Sequence, residues 1–164
     1  IKNLKRALVW NDASVKALEP SIYSGAIHEL MLGLPAWTGG LTVPVTVPVT
    51  ISATQTDGFG PAVNAGDRLA SLTLRIDGPV VDPSVTVISP DDIPHTLSFG
   101  TTLYAGDWLD VDTETRQVVL NGSVSRFADA YGDWPLLEPG TSMIAWRAEF
   151  NPDAQLTVQW RDRW

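Results

Sequence analysis

"LASLTLRID", residues 69–77, alternates with a period of two. Leu72, Leu74 and Ile76 fall on one face, and Thr73, Arg75 and Asp77 fall on the other. That pattern is a strand with one buried face, closed by the turn signal Asp77-Gly78-Pro79. Working outward, "PSVTVIS", "HTLSFG", "GDWLDVD", "TRQVVLNG", "SMIAWRAEF" and "QLTVQWRDRW" follow the same habit. Turn signals separate them at Asp82-Pro83, Pro90-Asp91-Asp92, Ala105-Gly106-Asp107, Asn121-Gly122, Glu138-Pro139-Gly140 and Asn151-Pro152-Asp153. Roughly seven or eight short strands with turns every 8–12 residues predict an all-β fold. The expected architecture is a two-sheet antiparallel β-sandwich in the jelly-roll or galectin style. "DVDTETRQVVLNGS" reads as a hairpin turning at Thr113 to Thr115 and again after Asn121-Gly122.

Upstream, "LTVPVTVPVT" (41–50) sets a strand former against two prolines. Leu41, Val43, Val45, Val47 and Val49 share one face, and Pro44 and Pro48 are both even-numbered. Successive residues of a strand point their N–H groups to alternate edges, so the prolines remove donors from one edge only. The stretch is therefore expected to be an edge strand that pairs on one side and refuses partners on the other. It would serve as the connector into the sandwich.

Composition shifts near Gly39-Gly40. Residues 1–40 read as the end of a preceding domain or as an arm packed on the main one, and residues 41–164 as the sandwich. "SGAIHELMLGL" within the first part fits a helix or a strand equally. The chain opens on Ile1 rather than Met, which points to a start inside a longer polypeptide, or to a trimmed or processed terminus. A domain of 164 residues buries roughly 70% of the surface its unfolded chain exposes, and needs no staple. There are no cysteines, so disulfides, thiolate zinc sites and cysteine nucleophiles are excluded.

The formal net charge is −8, and all three lysines (Lys2, Lys5, Lys16) lie in the first part. The remainder is acidic and carries only arginines as its basic residues, which would repel a phosphate backbone; no nucleic-acid partner is expected. No apolar run approaches the roughly 18–20 residues of a membrane span, and no signal-peptide pattern opens the chain, so no membrane partner is expected.

Little in the chain points to catalysis. The two histidines, His28 and His95, lie in different regions, and His95 reads as a surface loop residue. Neither a Gly-x-Ser-x-Gly elbow nor a phosphate loop nor a dinucleotide fingerprint is present, and no cofactor is expected. Asp110, Asp112 and Glu114 imitate the opening of a calcium loop. The sixth and twelfth positions hold Thr115 and Asn121 instead of Gly and Glu, so the EF-hand pattern fails. A looser calcium site with Asp107, Asp91 or Asp92 is set against a solvated strand face. A glycosidase pair of carboxylates cannot be read from spacing alone.

The tryptophans are more informative. Ile144, Trp146, Ala148 and Phe150 share a face, as do Leu156, Val158 and Trp160, so Trp146 and Trp160 are expected in the core. Trp108 instead shares its face with Asp110 and Asp112, away from Leu109 and Val111. An aromatic among carboxylates on an outer face suits a sugar platform or a protein contact, and Trp134 beside Tyr131 is the second such candidate. The plainer reading is that a loop or a neighbouring subunit covers them.

"YSGAIHELMLGLP" followed by "TGGLTVPVTVPVT" resembles the junction between the two domains of siphophage distal tail proteins, a minor tail protein family, especially those of phages of actinobacteria. The resemblance continues in "LRIDGPVVDPSVTV", "HTLSFGTTLYAGDWLDVDTETRQVVLNG" and the terminal "LTVQWRDRW". It implies that residues 1–40 close a hub domain and that the rest is a galectin- or carbohydrate-binding-module-like sandwich at the distal end of a virion tail. It further implies a homo-oligomeric ring, usually a hexamer, joining the tail tube to baseplate or tip proteins, and in some phages supporting host adhesion. The expected function is assembly rather than catalysis. The alternative is a carbohydrate-binding module that recognises host glycans through Trp108, Tyr131 or Trp134.

Overall fold

The computed structural model of the chain describes residue 25 and residues 27–34, 58–149 and 153–164. Twelve strands are found among them: β1 (Ile27–Gly33), β2 (Phe59–Asn64), β3 (Leu72–Asp77), β4 (Val80–Ile88), β5 (Pro94–Phe99), β6 (Thr102–Leu103), β7 (Trp108–Asp112), β8 (Gln117–Leu120), β9 (Val124–Ser125), β10 (Ala130–Gly132), β11 (Gly140–Glu149) and β12 (Gln155–Arg161). One 3-10 turn, Phe127–Asp129, separates β9 from β10. The first sheet runs β1-β12-β3-β7-β8-β9 and the second β10-β5-β4-β11-β2, with β6 added to the end of β4. Every strand pair is antiparallel, as expected of a sandwich whose strands alternate in burial.

The alternation seen in the sequence becomes the core. Leu72, Leu74 and Ile76 of β3, with Leu109, Val111, Leu156 and Val158, face Val85, Val87, Leu97, Phe99, Ile144 and Trp146 across the two sheets, all at 2% exposure or less. Each such side chain contributes roughly 1.5–3 kcal/mol on burial. The hairpin of β7 and β8 turns at 113–116 as expected, and Leu109 to Asp112 pair with Leu120 to Gln117. At the β8–β9 turn both central residues, Asn121 and Gly122, have positive φ (51° and 67°), the conformation for which Asn-Gly is suited.

Residues 27–33, ambiguous in sequence, form a strand that pairs along its whole length with β12, from Ile27↔Arg161 to Gly33↔Gln155. Trp146 and Trp160 are buried as expected, at 2% and 7%. They also brace the sandwich. The Trp160 indole of the first sheet donates to the Val63 carbonyl of the second (2.8 Å). The Trp146 indole of the second donates to Gly33 of the first (3.2 Å).

The connector prolines Pro44 and Pro48, like Phe150, lie outside the described residues. The edge device expected of them is visible in Pro61. Trp146 N–H donates to Gly58 O, so the even-numbered residues of this strand face β11, and Pro61 turns its missing donor to the open edge.

Candidate functional site

The outer face of the first sheet carries Arg75, Asp77, Trp108, Asp110 and Asp112, because their neighbours Leu74, Ile76, Leu109 and Val111 take the core side. Register sets Asp77 opposite Trp108 and Arg75 opposite Asp110. The Arg75 guanidinium lies over the Trp108 ring, 4.8 Å from its centroid. Its Nε is 3.1 Å from Asp77 and an Nη is 3.8 Å from Asp110. The indole Nε1 donates to Asp110 at 2.9 Å. Trp108 thus shares a face with carboxylates as its parity indicated, with one side of its ring already occupied by a cation. A contact of this kind at a partly exposed site is worth about 0.5–1 kcal/mol.

The neighbouring acidic residues hold turns. Asp107 accepts from the Tyr104 N–H (3.0 Å) and from the Asn121 amide (2.8 Å). The Asn121 bond first, and the Tyr104 N–H second, hold the Asp107 carboxyl below the ordinary Asp range. Asp112 accepts from the N–H groups of Glu114 and Thr115 and from the Thr115 hydroxyl. Among the described residues no group of three or more His, Cys, Asp or Glu side chains gathers where it could hold a metal.

The other two aromatic candidates are elsewhere. Tyr131 pairs with Ser98 on the outer face of the second sheet and is 61% exposed. Trp134 packs against the core and stacks on Phe127 (centroids 6.0 Å apart), closing the seam beside β9 and β10. Trp108 and Tyr131 therefore lie on opposite faces of the sandwich, and the three aromatics form no common platform.

His95 lies 3.6 Å from Asp133 at the surface. His28 has a larger structural part. It stacks on Trp160 (centroids 5.4 Å apart), and its Nε2 is 2.9 Å from Asp162, whose other carboxylate oxygen accepts the Ala65 N–H. Burial pushes the Asp162 carboxyl up. The His28 hydrogen bond, the Ala65 N–H and the charge interaction with His28 together outweigh that and hold it below the usual range. The cluster ties β1, the β2–β3 loop and the end of β12 together. Neither histidine is hydrogen-bonded to a serine hydroxyl among the described residues.

A second buried polar device escaped sequence reading. Asn64, 1% exposed, donates to the carbonyls of Arg68 (2.7 Å) and Leu137 (3.2 Å) and accepts from Gly66 N–H (3.1 Å). An Asn-Ala-Gly-Asp stretch signals a turn, and nothing local reveals that the amide also reaches a carbonyl far along the chain.

With this geometry in place, comparison with known proteins is decisive. Residues 67–164, which contain β3 to β12, match the sequence family described as the siphovirus-type tail component, C-terminal domain (SPP1 Dit). The chain belongs to that family. It is an all-β phage tail component of the distal tail, or Dit, type, located in the virion tail. No curated protein matches the tail component by sequence. A solved structure does match in fold: the crystal structure of SPP1 Dit, described as a paradigm of the hub adsorption apparatus in phages infecting Gram-positive bacteria. Similarity extends over 86% of this chain and 48% of that one, at a TM-score of 0.58 and 11% identity. The tail component thus spans about half the length of that relative.

Proposed function

We propose that this chain is the sandwich part of a distal tail protein that joins the tail tube to baseplate or tip proteins, as one copy of a homo-oligomeric ring, a hexamer. The observation that carries the reading is the family match over residues 67–164, the part of the chain that builds ten of the twelve described strands. Acting without catalysis suits a domain whose histidines and carboxylates are engaged in turns and strand anchoring. Residues 1–40 are proposed as the end of the hub domain or an arm. The antiparallel pairing of β1 with β12 supports an arm that fastens the sandwich to whatever precedes it. Pro44 and Pro48 would mark the connector.

Support for host adhesion is proposed for exposed surfaces. Tyr131 presents an open ring, whereas Trp108 would have to shed Arg75 to stack that side of its ring on a sugar. The test is electron microscopy of the native particle with an epitope tag on this domain. Density in a ring at the distal end of the tube, with countable copies, is the expected result. Tag density elsewhere on the virion, or none, would overturn the proposal.

A further inference from the structure

The backbone of the first sheet can be followed outward strand by strand. Thr113 N–H donates to Leu72 O and Gly78 N–H to Asp107 O, both continuing the β3–β7 register, so the even-numbered residues of β3 face β7. Its odd-numbered residues therefore face β12. The even-numbered residues of β12 in turn face His28, Leu30 and Leu32 of β1. Ile27, Glu29, Met31 and Gly33 are left to turn their N–H and C=O groups to the far side, where the sheet ends among the described residues. The Trp146 indole bond to Gly33 O fits that direction.

This edge is seven residues long and carries no proline. The other sheet ends are guarded: β9 and β10 have two and three residues, and β2 turns Pro61 outward. On its outer face β1 also carries two apolar side chains, Ile27 and Met31, 58% and 54% exposed. Between them the Glu29 carboxylate accepts from the Gln159 amide at 2.7 Å. Unpaired backbone groups beside exposed apolar side chains describe a strand that lacks a neighbour.

The chain leaves and re-enters on this side of the sandwich. β1 and β2 face each other across it, since a Cβ on Gly60 would lie 3.1 Å from Leu30 and 3.2 Å from Leu32. Trp146 donates its backbone N–H to Gly58 O and its indole N–H to Gly33 O, so one residue reaches both ends of the intervening stretch. Crossing between sheets roughly 10 Å apart takes about three or four residues. Residues 35–57, outside the described residues, number 23, enough to run out along β1 and back.

Residues 41–49 carry what this edge can pair with. Their odd-numbered members keep every donor, and Pro44 and Pro48 remove donors from the opposite edge only. We propose that this segment docks on β1 as an antiparallel strand, odd residue opposite odd residue. Setting Leu41 opposite Gly33 leaves residues 34–40, with Gly39-Gly40, as the turn. Val43 then stands beside Met31, Val45 beside Glu29 and Val47 beside Ile27, so the two exposed apolar side chains gain cross-strand partners. Residues 50–57 return to Gly58. Tethered at Leu34, the segment meets the edge at an effective concentration on the order of millimolar, ahead of a separate strand. Both sheets would then end on this side in prolines turned outward, closed to strands of neighbouring copies. The pairing is a property of one chain in solution and does not depend on the assembly reading.

The test is amide hydrogen exchange by NMR on the full chain at two protein concentrations. The Glu29 and Met31 N–H groups are expected to exchange roughly a hundredfold more slowly than unpaired amides, equally at both concentrations. Val45→Pro removes a donor that faces β1 and should speed both by roughly tenfold or more, whereas Thr46→Pro removes one that faces away and should leave them unchanged. The His28 and Leu30 amides, which face β12, report that the sandwich stays folded in each variant. Free exchange of Glu29 and Met31 in the wild-type chain would overturn the proposal. So would protection that grows with concentration, the mark of a second copy on the edge. Protection that survives Val45→Pro, or that Thr46→Pro removes equally, would overturn it as well.

Discussion

Asn64 is the most informative single position for testing how this sandwich holds its β2–β3 loop. Its amide spans the β2–β3 loop, and the Gly66 N–H at 3.1 Å determines which end of the group is oxygen. In Asn64→Ala, Leu137 O keeps its bond from Ala70 N–H at 2.8 Å, so that loss is modest. Arg68 O loses the Asn64 donor, and Gly66 N–H loses its acceptor. Arg68 is exposed and Gly66 half-buried, so water can meet the groups left behind, and the two lost hydrogen bonds together amount to about 2 kcal/mol. For a domain of this size that is a fall in Tm of roughly 4–8 °C. Asn64→Asp keeps the acceptor for Gly66 but turns a carboxylate oxygen toward two carbonyl oxygens at a site 1% exposed. Its loss at neutral pH should exceed that of the alanine variant, because an uncompensated buried charge costs more than a missing hydrogen bond. Urea unfolding and calorimetry of both variants measure this directly. A fall of less than about 2 °C in Asn64→Ala, or a milder effect in Asn64→Asp, would refute the account of the loop.

Further outcomes follow from other contacts. Asp162 has its carboxyl depressed in the folded state, so its contribution is fully present above the unfolded value near pH 4 and lost as pH falls through the folded value; the acid limb of a stability–pH curve should flatten in Asp162→Asn, and an unchanged limb would exclude this residue. Ser142 is fully buried with an unpartnered hydroxyl, so Ser142→Ala should leave stability unchanged or raise it by up to about 1 kcal/mol in urea unfolding. A double-mutant cycle on Arg75 and Trp108 should give a coupling of about 0.5–1 kcal/mol, and zero coupling would mean the ring is free for other partners. Gly66→Ala should destabilise strongly in the same assay, because the backbone of Arg163 lies where the methyl group must go.

What the sequence determined by itself is what depends on near neighbours. Leu72, Leu74 and Ile76 alternate with polar residues, so the strand and its buried face are written within six residues, and the Asn121-Gly122 turn is dictated by local backbone preference. The same parity assigned Trp146 and Trp160 to the core and Trp108 to the outer face. Strand β1 was ambiguous because Ile27 and Met31 put apolar side chains on the solvent face, erasing the alternation that would have identified it. Only pairing with β12, more than a hundred residues away, makes it a strand. Order within the sheets, the indole bonds from Trp160 and Trp146 across the sandwich, and the reach of Asn64 to Leu137 are all long-range choices. Charge and periodicity constrain what each residue can do, but which distant residues share a surface is decided when the two sheets close on a common core.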